Sequence, residues 1–459
     1  MKNSFYRKGK ILVCFAFTFI VVSCTSEWLD IKSDKKLVVP SSLKDLQALV
    51  DNPRVLVTGT PAMAELSADN YVLSTESFKS LRENMERNIH IWARDIYEDA
   101  TVRGVPTDWS MMYEKVYYAN LTIEGLEKLK DLSQAEADWK GQVMGQALFV
   151  RAWAYFHLLQ VFSPHYNAET ATADLSIPMR LYSDISKKSV QVTVQEAYEQ
   201  LIGDLERAAE LLPSETELRL RPVKAAAEGL LSRTYLIMGN YELALAYADR
   251  SLAWNSELLD FNNLDSTANY AIAQYNKEVV YRATQNSSQI MSSAYEVNES
   301  LYELYEDGDL RLPVFYKYNN GLLRFHGSYE GSGTLFTGIS TNEMILIRSE
   351  CFARLGDRES AVFDLKNLLE KRYRPDDFEK IVFEGDLLEM ILLERRKELP
   401  FRGIRWFDLR RLNASEEHQV TLTREIDGQR YELKPNDPRY TLPFPDIVVE
   451  QNKFVQNKR

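Results

Sequence analysis

Residues able to perform acid–base or metal chemistry are present in this chain, but their spacing matches no catalytic motif. Five histidines are scattered along it: His90, His157, His165, His326 and His418. None of them has the H-E-x-x-H spacing of a zinc protease. Asp307-Gly308-Asp309 is similar to the start of a cation-binding loop but lacks the spaced oxygen ligands of such a loop, so we expect a turn leading into Arg311. Because 67 acidic residues make many carboxylate pairs inevitable, no pair indicates a glycosidase. The sequence therefore predicts no catalytic residues, no metal site and no cofactor.

The N-terminal segment of the chain predicts a lipid anchor. Residues 1–23 have the layout of a bacterial signal peptide, with a basic start and an apolar run at 11–22 that is too short to cross a bilayer comfortably. Val21-Val22-Ser23-Cys24 resembles a lipobox, so we expect cleavage before Cys24 and lipidation of that cysteine. An ordinary secretory signal with an incidental cysteine is the alternative. Cys351 lies on an apolar helix face and is expected to be a buried small hydrophobic residue.

The charge balance excludes a class of partners. Removal of the signal takes four basic residues away and moves the formal net charge from −12 to about −16. A chain this acidic would be repelled by phosphates, so we expect no binding to nucleic acid. The predicted lipid anchor on an acidic, soluble body indicates attachment to a membrane through the anchor only.

Helical periodicity and capping residues predict a mostly α fold. Thr193 with Glu196 forms a capping-box pattern at the start of one helix. Two stretches repeat a pattern in which an apolar helix ends at a glycine and an alanine follows five residues later, at Gly239 and again at Gly356. This is the signature of tetratricopeptide-type hairpins, and it predicts an array of about four helix pairs, at roughly 109–162, 193–238, 241–355 and 358–399.

The remaining segments lack sustained helical period. Residues 24–40 are predicted to be a tether and residues 41–459 the folded domain. An insertion at 256–340 interrupts the third helix pair and is rich in tyrosine, which argues against disorder and for a functional role. The C-terminal tail, 412–459, is predicted to be irregular, with a possible strand pair around 419–433.

The stretch at 386–411 combines a helix with a segment that is both aromatic and basic. Pro400 is expected to end the helix and Gly403 to reverse the chain. We expect its arginines to pair with acids, and the segment to be packed against the helix array as a structural seam. The acids considered as partners are Glu394, Glu398 and Asp408.

With these motifs, the chain resembles the SusD/RagB family of lipid-anchored outer-membrane nutrient-binding proteins of Bacteroidetes-type bacteria. The matching segments are Glu27-Trp28-Leu29-Asp30 after the lipobox, 147–156, 224–248, 342–350, 394–411 and Pro443-Phe444-Pro445. The chain departs from the family pattern at Pro400 and Arg402, and at Ser163-Pro164-His165, where a glycine is usual. The acidic cluster that often follows the lipidated cysteine is also thin.

The resemblance implies a tetratricopeptide-like array that docks on a SusC-like TonB-dependent transporter, with an irregular, loop-rich side that binds a glycan or another nutrient. It also implies an outer-membrane location facing the cell surface, a lid-like position on the transporter, and no catalysis.

Ligand contacts are expected from aromatic rings flanked by amides and carboxylates, because sugar C–H faces lie on rings and sugar hydroxyls need paired donors and acceptors. The candidates outside the helix pairs are Asp69, Asn70, Tyr71, Trp92, Trp109, Tyr316, Tyr318 and Tyr329. For each of them, packing in the core or at its edge is the alternative.

These expectations combine into a cell-surface lipoprotein that captures a glycan and hands it to its transporter. One alternative is an accessory that gates the transporter and has little ligand affinity of its own. Another is a binder of a non-glycan nutrient such as a peptide.

Overall fold

Helices dominate the computed structural model, which describes residues 40–99 and 107–459. The predicted signal peptide, Cys24 and all but the last residue of the predicted tether lie outside the described residues. The helices are α1 (Leu43–Val50), α2 (Pro53–Leu56), α3 (Met63–Ser67), α4 (Thr75–Ser80), α5 (Asn84–His90), α6 (Thr107–Lys128), α7 (Gln134–Phe162), α8 (Val194–Leu211), α9 (Lys224–Ile237), α10 (Tyr241–Trp254), α11 (Glu299–Tyr302), α12 (Arg311–Phe315), α13 (Thr341–Arg354), α14 (Arg358–Leu369), α15 (Pro375–Phe378), α16 (Leu387–Glu398), α17 (Arg405–Leu412) and α18 (Asp446–Asn452).

The strands are short and pair two by two. They are β1 (Tyr71–Val72), β2 (Leu175–Met179), β3 (Val190–Thr193), β4 (Val279–Tyr281), β5 (Glu296–Val297), β6 (Tyr316–Asn319), β7 (Leu322–Phe325), β8 (Ile339–Ser340), β9 (Leu422–Ile426) and β10 (Gln429–Leu433). Within the described chain they form five antiparallel pairs: β1 with β5, β2 with β3, β4 with β8, β6 with β7, and β9 with β10. The insertion at 256–340 therefore contains several short strands and helices.

The long helices pack mainly on their neighbours along the chain, as expected for a helical repeat array. α6 packs on α7, α7 on α8, α8 on α9, α9 on α10, α10 on α13, and α13 on both α14 and α16. The predicted fold class, a mostly α tetratricopeptide-like array, is confirmed.

Two hairpins of this array share the same local design. Gly239 and Gly356 have φ angles of +75° and +86°, the left-handed conformation that lets a helix end and the chain turn. In the first hairpin, the Ser232 hydroxyl donates to the carbonyl of Ala244 at 2.9 Å. In the second, Ser349 donates to Ala361 at 2.8 Å. The predicted internal repeat thus extends to an identical hydrogen bond between the paired helices.

The seam between α16 and α17 is packed in the core. Phe401 and Gly403 have φ angles of +58° and +71° and reverse the chain after Pro400. Trp406 is completely buried and stacks on Tyr440, with ring centroids 4.7 Å apart. Cys351 is also buried, as predicted.

The partners of the seam arginines differ from most of those predicted. Arg411 does bind Asp408, at 2.8 Å. Arg405 instead binds Asp69, at 2.8 Å, and Arg410 donates to backbone carbonyls at the end of α7. The prediction that seam arginines neutralise Glu394 and Glu398 is wrong, because cations from elsewhere already occupy both carboxylates.

Those cations belong to a buried charge network that joins the insertion to α16. Arg311, just after the turn at 307–309, binds Asp309 at 2.7 Å, Glu394 at 2.6 Å and Glu398 at 3.1 Å. Arg372 binds Glu398 at 2.8 Å. Each of these charges has its partner in the interior, so the network is satisfied.

Two further features bear on the predicted classes of function. Among the described residues, no helix is both long enough and apolar enough to cross a membrane. The same residues contain no group of three or more His, Cys, Asp or Glu side chains arranged to hold a metal ion.

Candidate functional site

Most of the predicted ligand-contacting side chains lie in the interior. Six of the eight are buried: Asn70, Tyr71, Trp92, Trp109, Tyr316 and Tyr329. Asp69 is partly accessible but is held by Arg405 and by Arg396, at 2.8 and 3.2 Å. These two arginines lower the pKa of Asp69 despite its burial, so the carboxylate is ionised and paired within the protein.

Three of the buried residues have ring-packing or hydrogen-bond partners inside the protein. Trp109 packs on Phe162 and Phe444, with ring centroids 5.1 and 5.4 Å apart. The Tyr316 hydroxyl lies 2.9 Å from that of Tyr305. The Tyr329 hydroxyl donates to a carboxylate oxygen of Glu278. Their burial argues against ligand contact, because removing them from these partners would leave buried polar groups unpaired.

Tyr318 is the exception, with 71% of its surface exposed. It lies on β6, which pairs with β7 through a turn at Asn320 and Gly321, both with positive φ. An Asn-Gly turn of this kind fixes the register of a hairpin. Tyr318 is therefore presented to solvent on a defined short strand pair.

Tyr71 and Trp92 form the layer beneath a solvent-accessible cleft, because both pack against Arg424, which lines it. The guanidinium of Arg424, on β9, lies 4.4 Å from the centre of the Trp92 ring and 5.1 Å from that of Tyr71. It also donates to backbone carbonyls, including Leu66 at 3.1 Å. Arg424 is itself buried but lines the cleft, so it separates the two predicted rings from the open space.

We call this cleft, of about 330 Å³, the hairpin cleft. It is lined by Val72, Leu73, His90, Thr423, Arg424, Glu425 and Arg430. Val72 contributes an apolar wall that is 38% exposed. Glu425 and Arg430 are cross-strand neighbours on β9 and β10 and contribute a charged wall. The volume is at the lower end of the range for ligand pockets.

His90 gives the hairpin cleft a hydrogen-bonding group of defined character. Burial and the nearby Arg424 hold the pKa of His90 well below its usual range, so the ring is neutral. The Tyr71 hydroxyl donates its one proton to the Leu66 carbonyl at 2.7 Å, and the His90 Nδ1 lies 3.0 Å from the same hydroxyl. Nδ1 must therefore carry the imidazole proton, which leaves Nε2 as an acceptor.

The lining residues from β9 and β10 were missed by the sequence reasoning, although a local signal for them existed. Leu422, Arg424 and Ile426 are buried, while Thr423 and Glu425 are exposed. That alternation has the period of two expected for a strand with one face in solvent. The possible strand pair around 419–433 predicts the hairpin but not its place beside Tyr71 and Trp92.

Chemically, the hairpin cleft offers a hydroxyl, a carboxylate, guanidinium groups and an imidazole acceptor next to apolar surface. Such a mixture suits a ligand that has both hydroxyl groups and C–H faces.

Comparison with known proteins agrees with this architecture. A family model described as starch-binding, associating with outer membrane, matches residues 27–236. A second model, described as the SusD family, matches residues 341–456. The two matches fall on either side of the insertion and together cover most of the chain.

Individual relatives and solved structures give the same result. The chain is 23% identical to SusD-like protein P2 of Formosa agariphila in an alignment of 423 positions that covers 76% of this chain and 79% of that protein. A SusD superfamily protein from Bacteroides thetaiotaomicron superposes with a TM-score of 0.74 at 19% identity, covering 91% of this chain and 100% of that one. A SusD-like carbohydrate binding protein from Bacteroides vulgatus does so with a TM-score of 0.67 at 20% identity, covering 90% and 97%. At these identities the superpositions show the fold, and with the two family models they establish that the chain belongs to the SusD/RagB family.

Proposed function

We propose that the protein is a glycan-binding lipoprotein at the cell surface, which captures a saccharide and delivers it to a SusC-like TonB-dependent transporter in the outer membrane. Family membership supports the general role, and the names of carbohydrate-binding relatives support the ligand class. The observation that carries the proposal is the hairpin cleft, whose walls combine apolar and hydrogen-bonding groups on the irregular part of the fold.

A sugar ring would find partners for its apolar face and for its hydroxyls in this cleft. Its C–H face would lie on Val72, and its hydroxyls would donate to Glu425 and to Nε2 of His90. Arg430, which is bound to Glu432 at 2.9 Å, could share its guanidinium with a ring or hydroxyl oxygen. Contacts of this kind are individually worth about 1 kcal/mol, which suits capture followed by release.

Binding to a glycan panel tests the proposal. The purified protein, with Cys24→Ala to avoid lipidation, is applied to an array of neutral and acidic oligosaccharides and peptides, and hits are measured by isothermal titration calorimetry. Thr423→Trp fills the hairpin cleft and should weaken glycan binding at least tenfold. Thr421→Trp is the matched control, because Thr421 is exposed but does not line the cleft, and it should bind as the wild type does. Full affinity in Thr423→Trp would place the ligand elsewhere.

A gating role is the second candidate, and one observation favours it. With six of the eight predicted contact residues buried, Tyr318 is the single predicted aromatic that is largely exposed. Few accessible rings among the predicted contacts imply weak stacking on sugars at those positions. The gating role would be supported if no member of the panel bound while deletion of the protein still impaired transporter-dependent uptake. Measurable glycan affinity that Thr423→Trp removes would count against it.

A further inference from the structure

We infer that a second cleft, between the helix array and the C-terminal tail, is a separate binding site for an uncharged saccharide segment. We call it the seam cleft. The inference rests on the proposed function for its ligand class, but it concerns different residues. With a volume of about 720 Å³, the seam cleft is about twice as large as the hairpin cleft.

The walls of the seam cleft come from four parts of the chain. The loop after α7 contributes His165 and Tyr166, the α9–α10 hairpin contributes Tyr241, α13 contributes Arg354, and α17 with the tail contributes Arg411 and His418. Segments far apart in sequence thus meet around one open space. Two tyrosine rings and several amide and hydroxyl groups border it, the mixture that saccharides require.

The charges at the seam cleft are largely compensated within the protein. No aspartate or glutamate lines it, and its two arginines share the buried Glu350 behind the wall: Arg354 at 2.8 Å and Arg411 at 2.6 Å. His418 lies 2.7 Å from Glu389. Because both arginines already have a carboxylate partner, the cleft favours neither a strong anion nor a cation.

Hydrogen-bonding capacity nevertheless remains. The Nε of Arg354 donates to Glu350, while among the described residues its two Nη groups make no hydrogen bond to protein. The guanidinium lies 4.8 Å from the centre of the Tyr241 ring, which holds it in place at the wall. Arginine in this state presents donors to the acceptor oxygens of a sugar.

His165 provides a second, independent indication of a ligand. Its Nδ1 is buried and has no hydrogen-bond partner among the described residues. Burial, with help from Arg410 and Arg411, lowers the pKa of His165 to about 3, so the ring is neutral and has one donor and one acceptor nitrogen. An orphaned buried nitrogen is uncommon in folded proteins and calls for a partner. His165 lines the seam cleft, and a ligand hydroxyl that reached this buried nitrogen could serve as its donor or acceptor.

The tail connects the seam cleft to the hairpin cleft. The seam cleft is bordered by Leu412, Ala414, Ser415, His418 and Asn436. The hairpin that lies between His418 and Asn436 in the chain carries Thr423, Glu425 and Arg430, which border the hairpin cleft. Two sites on one folded unit raise the effective concentration of the second for a ligand long enough to reach both. We therefore expect long glycans to bind more tightly than short ones.

Cleft-filling variants test the inference. Ala168→Trp and Ala414→Trp each place a bulky ring in the seam cleft without removing a polar contact, and both alanines are exposed. Ala137→Trp, at an exposed position near the start of α7, is the matched control. The probes are maltohexaose, cellohexaose and xylohexaose, titrated calorimetrically into the protein carrying Cys24→Ala.

With the hexaose that binds, we expect about two sites per protein, reduced to one by Ala168→Trp or Ala414→Trp and unchanged by Ala137→Trp. The remaining site should then be lost when Thr423→Trp is added. A single site in the wild type that Thr423→Trp abolishes and Ala168→Trp leaves intact would overturn the seam cleft while supporting the proposed function. Absence of binding by all three hexaoses and by the glycan panel would overturn both.

Discussion

Replacement of Trp406 by alanine should destabilise the protein strongly and leave its intrinsic ligand affinity unchanged. Trp406 has no exposed surface and stacks on Tyr440, and it lines neither of the two clefts. Its indole nitrogen has no hydrogen-bond partner among the described residues, so the substitution removes packing rather than a hydrogen bond. A buried tryptophan truncated to alanine costs about 3–5 kcal/mol.

The expected change in melting temperature follows from the size of the folded unit. The unit Ser42–Arg459 has roughly 420 residues. An unfolding entropy of about 2.1 cal/mol/K per residue then gives about 0.9 kcal/mol/K for the unit. A loss of about 4 kcal/mol should therefore lower the melting temperature by about 4–5 °C.

Differential scanning calorimetry measures this shift, and calorimetric titration with the best-binding glycan of the panel measures affinity below the transition. Trp254→Ala is the matched control, because Trp254 is 50% exposed and should lose less than about 1 kcal/mol. A Trp406→Ala protein that melts like the wild type but no longer binds glycan would refute the structural role of the seam and assign it to ligand recognition.

Four further predictions concern other parts of the chain. Gly338→Ala should prevent stable folding or cost several kcal/mol, because an added Cβ would lie 1.8 Å from the Tyr281 carbonyl oxygen; a thermal melt equal to wild type would contradict this packing. Gly203→Ala should raise stability by about 0.5–1 kcal/mol in the same assay, because Gly203 lies in α8 with no atom within 4 Å of the new Cβ. Burial lowers the pKa of Lys115 to about 7, so the folded state loses this proton at a lower pH than the unfolded state does. The free energy of unfolding should therefore rise between about pH 7 and 10, by at most about 1.4 kcal/mol per pH unit, relative to Lys115→Met. Parallel denaturation profiles of the two proteins would exclude the effect. Cys24→Ala should release the protein from membranes in a fractionation assay, whereas continued tight attachment would reject the predicted lipobox.

The parts of the fold that depend on local rules could be predicted from the sequence. Gly239 and Gly356 each require the left-handed conformation, and the alanine five residues later allows close packing, so both hairpins are readable from ten consecutive residues. The capping box of Thr193 and Glu196 is equally local and is confirmed. Such signals also suffice for the fold class.

The partners of charged residues could not be predicted in the same way, because they come from distant segments. Arg405 binds Asp69, which precedes it by 336 residues, and Arg311 reaches Glu398, 87 residues further on. Any acid in the sequence satisfies the chemical requirement of an arginine. Which acid is nearby depends on the packing of the whole unit.

The exposure of the aromatic side chains in the candidate site could not be predicted from the sequence either. In irregular segments no periodicity separates an exposed ring from a buried one, so Tyr316 and Tyr318 look equivalent in sequence although one is buried and the other largely exposed. Thr423, Glu425 and Arg430 carry no aromatic signature, and they face a ligand-sized space because β9 and β10 fold over Tyr71 and Trp92.

The aromatic packing of the insertion has a consequence for how ligand can be exchanged. Tyr281, Tyr295, Tyr305, Phe325 and Tyr329 are all buried, and each contacts a residue outside the insertion. Exposing five such rings would cost about 2 kcal/mol each, or about 10 kcal/mol in total, which keeps an open form below about one molecule in a million. The insertion therefore does not act as a flap that closes over a captured ligand. A saccharide would meet a preformed surface, and its residence time would be set by the contacts at that surface.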